Sequence, residues 1–133
     1  RNIINKKNIV LLSDGSPTRT FCYVADSIIG YLKILILGKN GESYNIGTEK
    51  PEISMLELAQ KCINLGKDVL DIDVGLDFLK SSDKNYLVDN PNRRCPDISK
   101  AKKELGYAPK ISIDEGIKNS LLWYADNKNS QEA

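Results

Sequence analysis

The chain has 133 residues, which is enough for one domain with a single modest core. Hydrophobic residues make up 41% and charged residues 28%, and the formal net charge is +1, so the composition is that of an ordinary soluble globular domain. Because the charge is balanced and no apolar run of about eighteen residues occurs, we expect a cytoplasmic protein with neither a nucleic acid nor a membrane as partner.

The chain contains no histidine and three cysteines, Cys22, Cys62 and Cys95. Their wide spacing fits neither a zinc site nor a small disulfide framework, so we interpret them as reduced thiols and expect no metal site. Without histidine the chain lacks the most common general base and the most common metal ligand. Self-contained hydrolase or zinc chemistry is therefore not expected.

The chain opens with short predicted elements. Residues 1–8 predict the end of a helix, and because the chain starts with Arg1 rather than Met we expect it to come from inside a longer protein. Residues 9–12 are a β-branched and apolar run that predicts a buried strand. A tight turn over residues 13–17, built on glycine and proline, stops this strand, and residues 20–24 predict a second extended stretch.

The first long helix is predicted from Asp26, which stands where a helix N-cap would be. Its apolar side chains recur every three or four residues, which predicts a stripe that faces the core, and the helix is expected to end at Gly38. The stripe consists of Ile28, Ile29, Leu32, Leu35 and Ile36.

The middle of the chain predicts a strand over residues 43–47 that stops on a glycine. Ser54 and Glu57 then form a capping box, which opens a helix over residues 55–65. Residues 69–74 predict a further short strand.

The last part of the chain predicts a polar loop over residues 81–90 and two more helices. Asp97 or Ser99 caps the first of these helices, and Ser112 opens the second with another capping box. The sequence therefore predicts a small α/β domain with a few short strands and about four helices.

Two loops carry arginines beside turn residues rather than within helices. Arg19 follows the tight turn, and Arg93 and Arg94 lie between two prolines. A guanidinium on a rigid corner presents its donors in a fixed fork that suits a phosphate or a carboxylate. If the two loops converge, they form a clamp for a diphosphate; the alternative is that each arginine is a solvated surface charge.

Asp97 and Asn45 are two further candidates, and each has an ordinary structural role as its alternative. Asp97 either orients Arg94 or accepts from a ligand hydroxyl, or it caps the helix that follows. Asn45 either hydrogen-bonds a sugar or a nucleotide, or it serves the turn after its strand.

Four segments form a pattern along nearly the whole chain: residues 13–26 (SDGSPTRTFCYVAD), residues 44–47 (YNIG), residues 94–101 (RCPDISKA), and residues 105–109 (LGYAP) with the following EGI. Together they resemble the C-terminal part of the NAD-dependent epimerase/dehydratase family, the extended short-chain dehydrogenases that act on nucleotide sugars. Within that family the pattern is most similar to UDP-glucuronate decarboxylases, and dTDP-glucose 4,6-dehydratases and UDP-glucose 4-epimerases share the same segments.

This resemblance implies a two-domain epimerase, dehydratase or decarboxylase. An N-terminal Rossmann domain binds NAD, and a smaller C-terminal domain, residues 1–133 here, closes over the diphosphate of a UDP- or dTDP-linked sugar. By position, Arg19 matches the family arginine that contacts the diphosphate. Arg94 and Asp97 match the later arginine and aspartate at the nucleotide and phosphate end, and Asn45 falls in a stretch that lines the same cleft.

The resemblance also implies what this chain does not hold. The glycine-rich NAD loop and the catalytic Tyr–Lys pair of the family belong to the N-terminal domain, so we expect this chain to bind no cofactor and to be inactive by itself. Apolar surface should be exposed where the Rossmann domain would pack, and a homodimer is one way to cover it. Two alternatives stay open: a non-catalytic nucleotide-sugar-binding or regulatory module, and a small α/β domain whose arginines are surface charges.

Overall fold

The structure of the protein, a computed structural model, describes residues 1–80 and 91–128. Within these residues it contains five short strands and four helices, as the predicted α/β class requires, and none of these helices is both long and apolar enough to cross a membrane. In chain order the elements are β1 (Ile9–Leu11), β2 (Thr18–Thr20), α1 (Val24–Leu37), β3 (Glu52–Ser54), α2 (Met55–Leu70), β4 (Leu76–Phe78), β5 (Arg93–Arg94), α3 (Ser99–Leu105) and α4 (Ile113–Asp126).

The strands form two small sheets. β1 and β4 pair in parallel, with Ile9 opposite Leu76. In the second sheet β2 lies in the middle, antiparallel to β3 and parallel to β5. Because β2 carries Arg19 and β5 carries Arg94, the second sheet joins the two predicted arginine loops directly.

Two hydrophobic clusters form the core. The first packs α3 against α1 and against the stretch around Tyr44, and it contains the buried Ile98, Ala101, Leu105 and Tyr107 with Ile34, Tyr44 and Ile46 around them. The second packs α2 against α4 and covers the N-terminal turn, with Ile3, Ile4 and Leu121 buried at its centre. The hydroxyl of Tyr107 donates to the Gly47 carbonyl at 3.0 Å, so the first cluster also fixes the backbone of residues 44–47.

Two predicted helix caps, Ser54 and Ser112, are present, whereas the prediction that Asp97 or Ser99 caps α3 is wrong, because Ile98 occupies its N-cap position without a side-chain cap. Ser54 and Glu57 form the complete capping box of α2, each bonding the backbone amide of the other. At the start of α4 the Ser112 hydroxyl accepts from the Glu115 amide at 3.2 Å. These caps form because they satisfy backbone donors that have no partner within the helix.

The beginning of the chain differs from the prediction. Residues 1–8 form turns rather than a helix, and Lys6, with a φ of 54°, adopts the left-handed conformation that ends them. The second extended stretch lies earlier than predicted, at β2, because Val24 already begins α1. Asp26 does not cap this helix: Tyr23 occupies the N-cap position, and Asp26 lies buried in the first turn.

The predicted core-facing stripe of α1 is exposed to solvent instead. Leu35 is 81% exposed and Ile36 is 75% exposed, and the other three residues of the stripe are about half exposed. The helix packs through its opposite side, where Gly30 lies so close to Ile46 and Tyr107 that a Cβ would clash with both. The strand β1 is also less buried than predicted, since Val10 is exposed.

Three further predictions need correction or lie outside the structure. α2 runs on to Leu70, through the buried Gly66, and β4 begins only at Leu76, so the predicted strand over residues 69–74 is wrong. A left-handed residue, Asp71, ends α2 in place of Gly66. Residues 43–47 form no strand, because no ladder partner lies beside them among the described residues. The predicted loop 81–90 lies outside the described residues.

Candidate functional site

The register of β2 and β5 places two arginines side by side. In this parallel pair Thr18 is opposite Arg93 and Arg19 is opposite Arg94. Residues directly opposite on neighbouring strands, which lie about 4.8 Å apart, share one face of the sheet, and successive residues alternate between faces. Arg19 and Arg94 therefore belong to one face, and Arg93 belongs to the other.

Arg19 is half-buried and anchored to the backbone around it. Its guanidinium donates to the Thr18 carbonyl at 2.7 Å and to the Pro91 carbonyl at 2.6 Å. The second bond crosses to the loop that carries Arg94, so the guanidinium lies over the start of that loop. Fixed in this way, the Arg19 side chain has little rotamer freedom left to lose when a ligand binds.

Arg94 differs from Arg19 and Arg93 in the contacts of its guanidinium. The residue is exposed, and among the described residues its guanidinium makes no hydrogen bond or ion pair. Since a guanidinium carries five donors and a permanent positive charge, Arg94 is well suited to bind an anion next to Arg19.

Arg93, on the other face, is held by an acidic residue that the sequence did not single out. Its Nε lies 2.9 and 3.1 Å from the two carboxylate oxygens of Glu52, and its Nη2 lies 2.8 Å from Oε2. The Thr18 hydroxyl donates to the same carboxylate at 2.5 Å. The bond from Thr18, and then those from Arg93, hold the pKa of Glu52 below its ordinary value of 4.5.

Asn45 and Asp97 meet through one hydrogen bond. The Asn45 amide donates to the Asp97 carbonyl at 2.9 Å, while the Asp97 carboxylate accepts from the Ser99 amide at 2.8 Å. Bonds from Ser99, first its side chain and then its amide, lower the pKa of Asp97. The Asp97 carboxylate thus serves the turn into α3, although Ile98 rather than Asp97 is the N-cap residue of that helix.

One segment, residues 91–98, carries Arg94 and Asp97 and is bonded by Arg19 and Asn45 at its two ends. Its first residue accepts from Arg19, its centre carries Arg94, and the carbonyl of Asp97 accepts from Asn45. Glu49, a second acidic residue without a sequence signal, fastens the end of the segment: it accepts from the Ile98 amide at 3.3 Å and pairs with Lys102. The pairing with Lys102, followed by the Ile98 bond, lowers the pKa of Glu49.

One cavity borders this region, and a second is lined by none of the site residues. One, of about 450 Å³, adjoins Arg19 at the end of β1, and its other walls include Leu12, Ser13, Thr20, Phe21 and Met55. The other, of about 600 Å³, is largely apolar and lies between β1, α2 and α4. The first cavity has a guanidinium at its edge and falls in the size range of small-molecule sites, so it is the better candidate for part of a ligand.

The sequence profile of the GDP-mannose 4,6 dehydratase family matches residues 1–120. The chain belongs to this family. UDP-glucuronic acid decarboxylase 1 of Arabidopsis thaliana is 37% identical over 114 residues, which cover 86% of the chain and 24% of that protein. The dTDP-D-glucose 4,6-dehydratase of Bos taurus is 35% identical over 126 residues, which cover 90% of the chain and 34% of that protein.

Solved structures agree with this assignment. The UDP-glucuronic acid 4-epimerase of Bacillus cereus, in complex with UDP-glucuronic acid and NAD, has a TM-score of 0.75 at 29% identity, over 94% of this chain and 37% of that one. An epimerase of Methanothermobacter thermautotrophicus shares the fold, with a TM-score of 0.81 at 23% identity. The predicted resemblance to extended short-chain dehydrogenases is confirmed, and the chain spans between 24% and 37% of the length of these relatives.

A tyrosine followed four residues later by a lysine, the pattern of the family's catalytic Tyr–Lys pair, occurs near the end of this chain. The two residues are Tyr124 and Lys128. α4 ends at Asp126, between the two residues, so they do not share the face of a continuous helix. The Tyr124 ring packs edge-on against Trp123, with 5.1 Å between ring centroids. Tyr124 and Lys128 are therefore not assigned to the candidate site.

Proposed function

We propose that the chain is the nucleotide-sugar-binding part of an NAD-dependent nucleotide-sugar epimerase, dehydratase or decarboxylase, and that Arg19 and Arg94 hold the diphosphate of its substrate. The observation that carries the proposal is the register that sets these two arginines opposite each other on one face. Like charges directly opposite on neighbouring strands destabilise a sheet, and a bound diphosphate removes that repulsion. The Arg94 guanidinium can meet a phosphate with two parallel hydrogen bonds, and Arg19 adds a second positive charge beside it.

The comparisons support the class of ligand. The Bacillus cereus relative was solved with UDP-glucuronic acid and NAD, and the curated relatives carry the names of UDP- and dTDP-sugar enzymes. We propose that UDP- or dTDP-linked sugars are the substrates of the whole protein. Asn45 and Asp97, joined at the end of the segment 91–98, are proposed to border the same substrate.

The remaining length of these relatives supports a second, NAD-binding domain in the whole protein. This chain has no glycine-rich dinucleotide loop, so a Rossmann domain outside residues 1–133 is proposed to bind NAD. When bound, NAD supplies the hydride acceptor for transient oxidation of the sugar. The exposed apolar face of α1 is proposed as the surface on which that domain packs.

The contribution of this chain to catalysis is then positioning. Arg19 and Arg94 fix the diphosphate, which places the sugar at a set distance from the diphosphate end of the ligand. Holding a reactant in a defined orientation lowers the barrier of the chemical step without any proton or hydride transfer by these residues. On this proposal the chain alone binds the ligand and does not turn it over.

Titration of the chain with UDP tests the proposal. We expect Arg94→Ala to weaken UDP binding by about tenfold or more, because a hydrogen-bonded charge pair contributes about 1.5–3 kcal/mol. Arg94→Lys should bind with intermediate affinity, since it keeps the charge but loses the fork. Chemical-shift changes in the NMR spectrum of the labelled chain measure the dissociation constant even when binding is weak.

The control for this titration is Lys118→Ala, which removes one positive charge from the exposed side of α4 and should bind UDP as the parent chain does. Equal binding by Arg94→Ala and the parent chain would contradict the clamp. A non-catalytic binding module would give the same titration, so conversion of UDP-glucuronic acid or dTDP-glucose by the whole protein with NAD separates the two functions.

A further inference from the structure

We propose that Glu52 is a positioning residue of the diphosphate clamp: by holding Arg93 it fixes β5 in the register that turns Arg94, rather than Arg93, toward the ligand. The inference rests on the proposed function, because it concerns the same two arginines. It adds a residue that makes no contact with the ligand face of the sheet and acts through Arg93.

The carboxylate of Glu52 connects all three strands of the sheet. Glu52 lies in β3, it accepts the Thr18 hydroxyl from β2, and it receives Nε and Nη2 of Arg93 from β5. The Glu52 side chain is 26% exposed, so most of it is shielded by these partners. A bidentate pair of this kind constrains both the position and the orientation of the arginine.

β5 itself is short. It has two residues, and within residues 1–80 and 91–128 it pairs with β2 alone, with Thr18 opposite Arg93 and Arg19 opposite Arg94. The bonds from Arg19 to Pro91 and from Asn45 to Asp97 hold the chain on either side of the strand. A backbone bond from the Thr18 amide to the Asn92 carbonyl, at 2.8 Å, lies just before it. A strand so short is weakly specified by its ladder alone, and side-chain contacts then decide its register.

Two consecutive arginines make the register decisive. A shift of β5 by one residue would move each side chain to the opposite face, so that Arg93 would lie beside Arg19 and Arg94 would point away. Both registers offer one arginine to the ligand face. In the observed register Glu52 holds the other arginine, Arg93, through a bidentate pair, with the Thr18 hydroxyl on the same carboxylate. We infer that this pair holds β5 in the register that leaves Arg94 to bind the diphosphate.

The test combines two single variants, the double variant that joins them and a charge-exchanged double variant, with UDP as the probe. Glu52→Gln and Arg93→Ala should each weaken UDP binding by about threefold to tenfold, and the double variant should be no weaker than either alone, because all three lack the same contact. The charge-exchanged pair Glu52→Arg with Arg93→Glu should recover part of the affinity.

An NMR signature separates positioning from a general loss of structure. In the parent chain, UDP should shift the Nε–Hε resonance of Arg94 and leave that of Arg93 unchanged. In Glu52→Gln the Arg93 resonance should respond to UDP as well, since its register is no longer fixed. Should Glu52→Gln fail to fold, Arg93→Lys keeps the charge, loses the bidentate geometry and should weaken UDP binding to a similar extent.

The control is Asp114→Asn, which breaks a surface ion pair between Lys61 of α2 and Asp114 of α4, away from the sheet, and should bind UDP as the parent chain does. Unchanged binding and unchanged arginine resonances in Glu52→Gln, together with a weakened Arg94→Ala, would overturn the role of Glu52 and leave the proposed function in place. No difference between Arg94→Ala and the parent chain would overturn both.

Discussion

Among the residues that the structure describes, Asp26 is the one charged residue that is buried, with 4% of its surface exposed. One of its oxygens accepts from two backbone amides, those of Lys110 at 3.0 Å and Ile111 at 2.8 Å. A buried carboxylate is tolerated only where hydrogen bonds replace its lost hydration. Asp26 therefore ties the first turn of α1 to the stretch that leads into α4.

Removing this carboxylate should be costly. We expect Asp26→Ala to lower the free energy of unfolding by about 3 kcal/mol, because two buried amides lose their acceptor. Asp26→Asn keeps one acceptor oxygen and should lose less. Urea denaturation followed by circular dichroism measures both, and Asp68→Ala, on the exposed side of α2, should change stability by less than about 0.5 kcal/mol. A loss in Asp26→Ala no larger than in Asp68→Ala would be inconsistent with this role.

The three strands β2, β3 and β5 form a unit whose stability should depend on pH through Glu52. The pKa of its carboxyl is lowered in the folded chain, first by the Thr18 hydroxyl and then by Arg93. A group with a lowered folded pKa adds stability that is fully present above its ordinary value of 4.5 and is lost as the pH falls through the folded pKa.

We therefore expect the parent chain to be more stable than Glu52→Gln at pH 7, with the difference shrinking below pH 4.5. Urea denaturation of both chains at several pH values between 7 and 3 gives the difference directly. Because the other acidic residues are present in both chains, their contribution to the pH dependence cancels in the difference between the two free energies of unfolding. A difference that is constant over this range would show that the Glu52 carboxylate is not engaged in the folded chain.

Elements defined by neighbouring residues were predictable, and elements defined by distant partners were not. The capping box at Ser54 and the Ser112 cap appear at their predicted positions, because a cap is made by residues three apart, although at Ser112 the bond from the Ser112 amide back to Glu115 is not among the described bonds. The strand predicted over residues 43–47 did not form, because a strand needs a partner that the local pattern cannot supply. Gly66 was expected to end α2, but a packed glycine remains inside the helix because Ile3 occupies the space of its missing side chain.

The candidate site was likewise predictable only where residues close in the sequence define it. Turn chemistry marked the loops of Arg19 and Arg94, and the structure joins these loops in one sheet. Which of two adjacent arginines shares the face of Arg19 depends on the register of β5, and Glu52 lies far away in the sequence. A pattern of residue types cannot contain that information, so the separate roles of Arg93 and Arg94 required the structure.

The surface of the whole chain is unusual along α1. Seven of its apolar side chains besides Val24 are about half exposed or more, and they include Ile28, Ile29, Tyr31, Leu32, Leu35, Ile36 and Leu37. Soluble monomers rarely leave so many large apolar side chains exposed on one helix. Their exposure fits the expectation that this chain presents apolar surface where another domain packs. Apolar side chains that recur every three or four residues form one stripe along a helix, and such a stripe is what a helix packed against another domain requires.

This surface should make the isolated chain associate with itself. We expect sedimentation velocity to show concentration-dependent association of the parent chain, and the double variant Leu35→Lys/Ile36→Lys to remain monomeric, because two charges prevent burial of the face. UDP binding should be unchanged in that variant, since α1 does not contribute to the sheet of the clamp. Gln60→Lys/Asn64→Lys adds the same charge on exposed positions of α2 and should associate as the parent chain does. A parent chain that stays monomeric at every concentration would count against α1 as a contact surface.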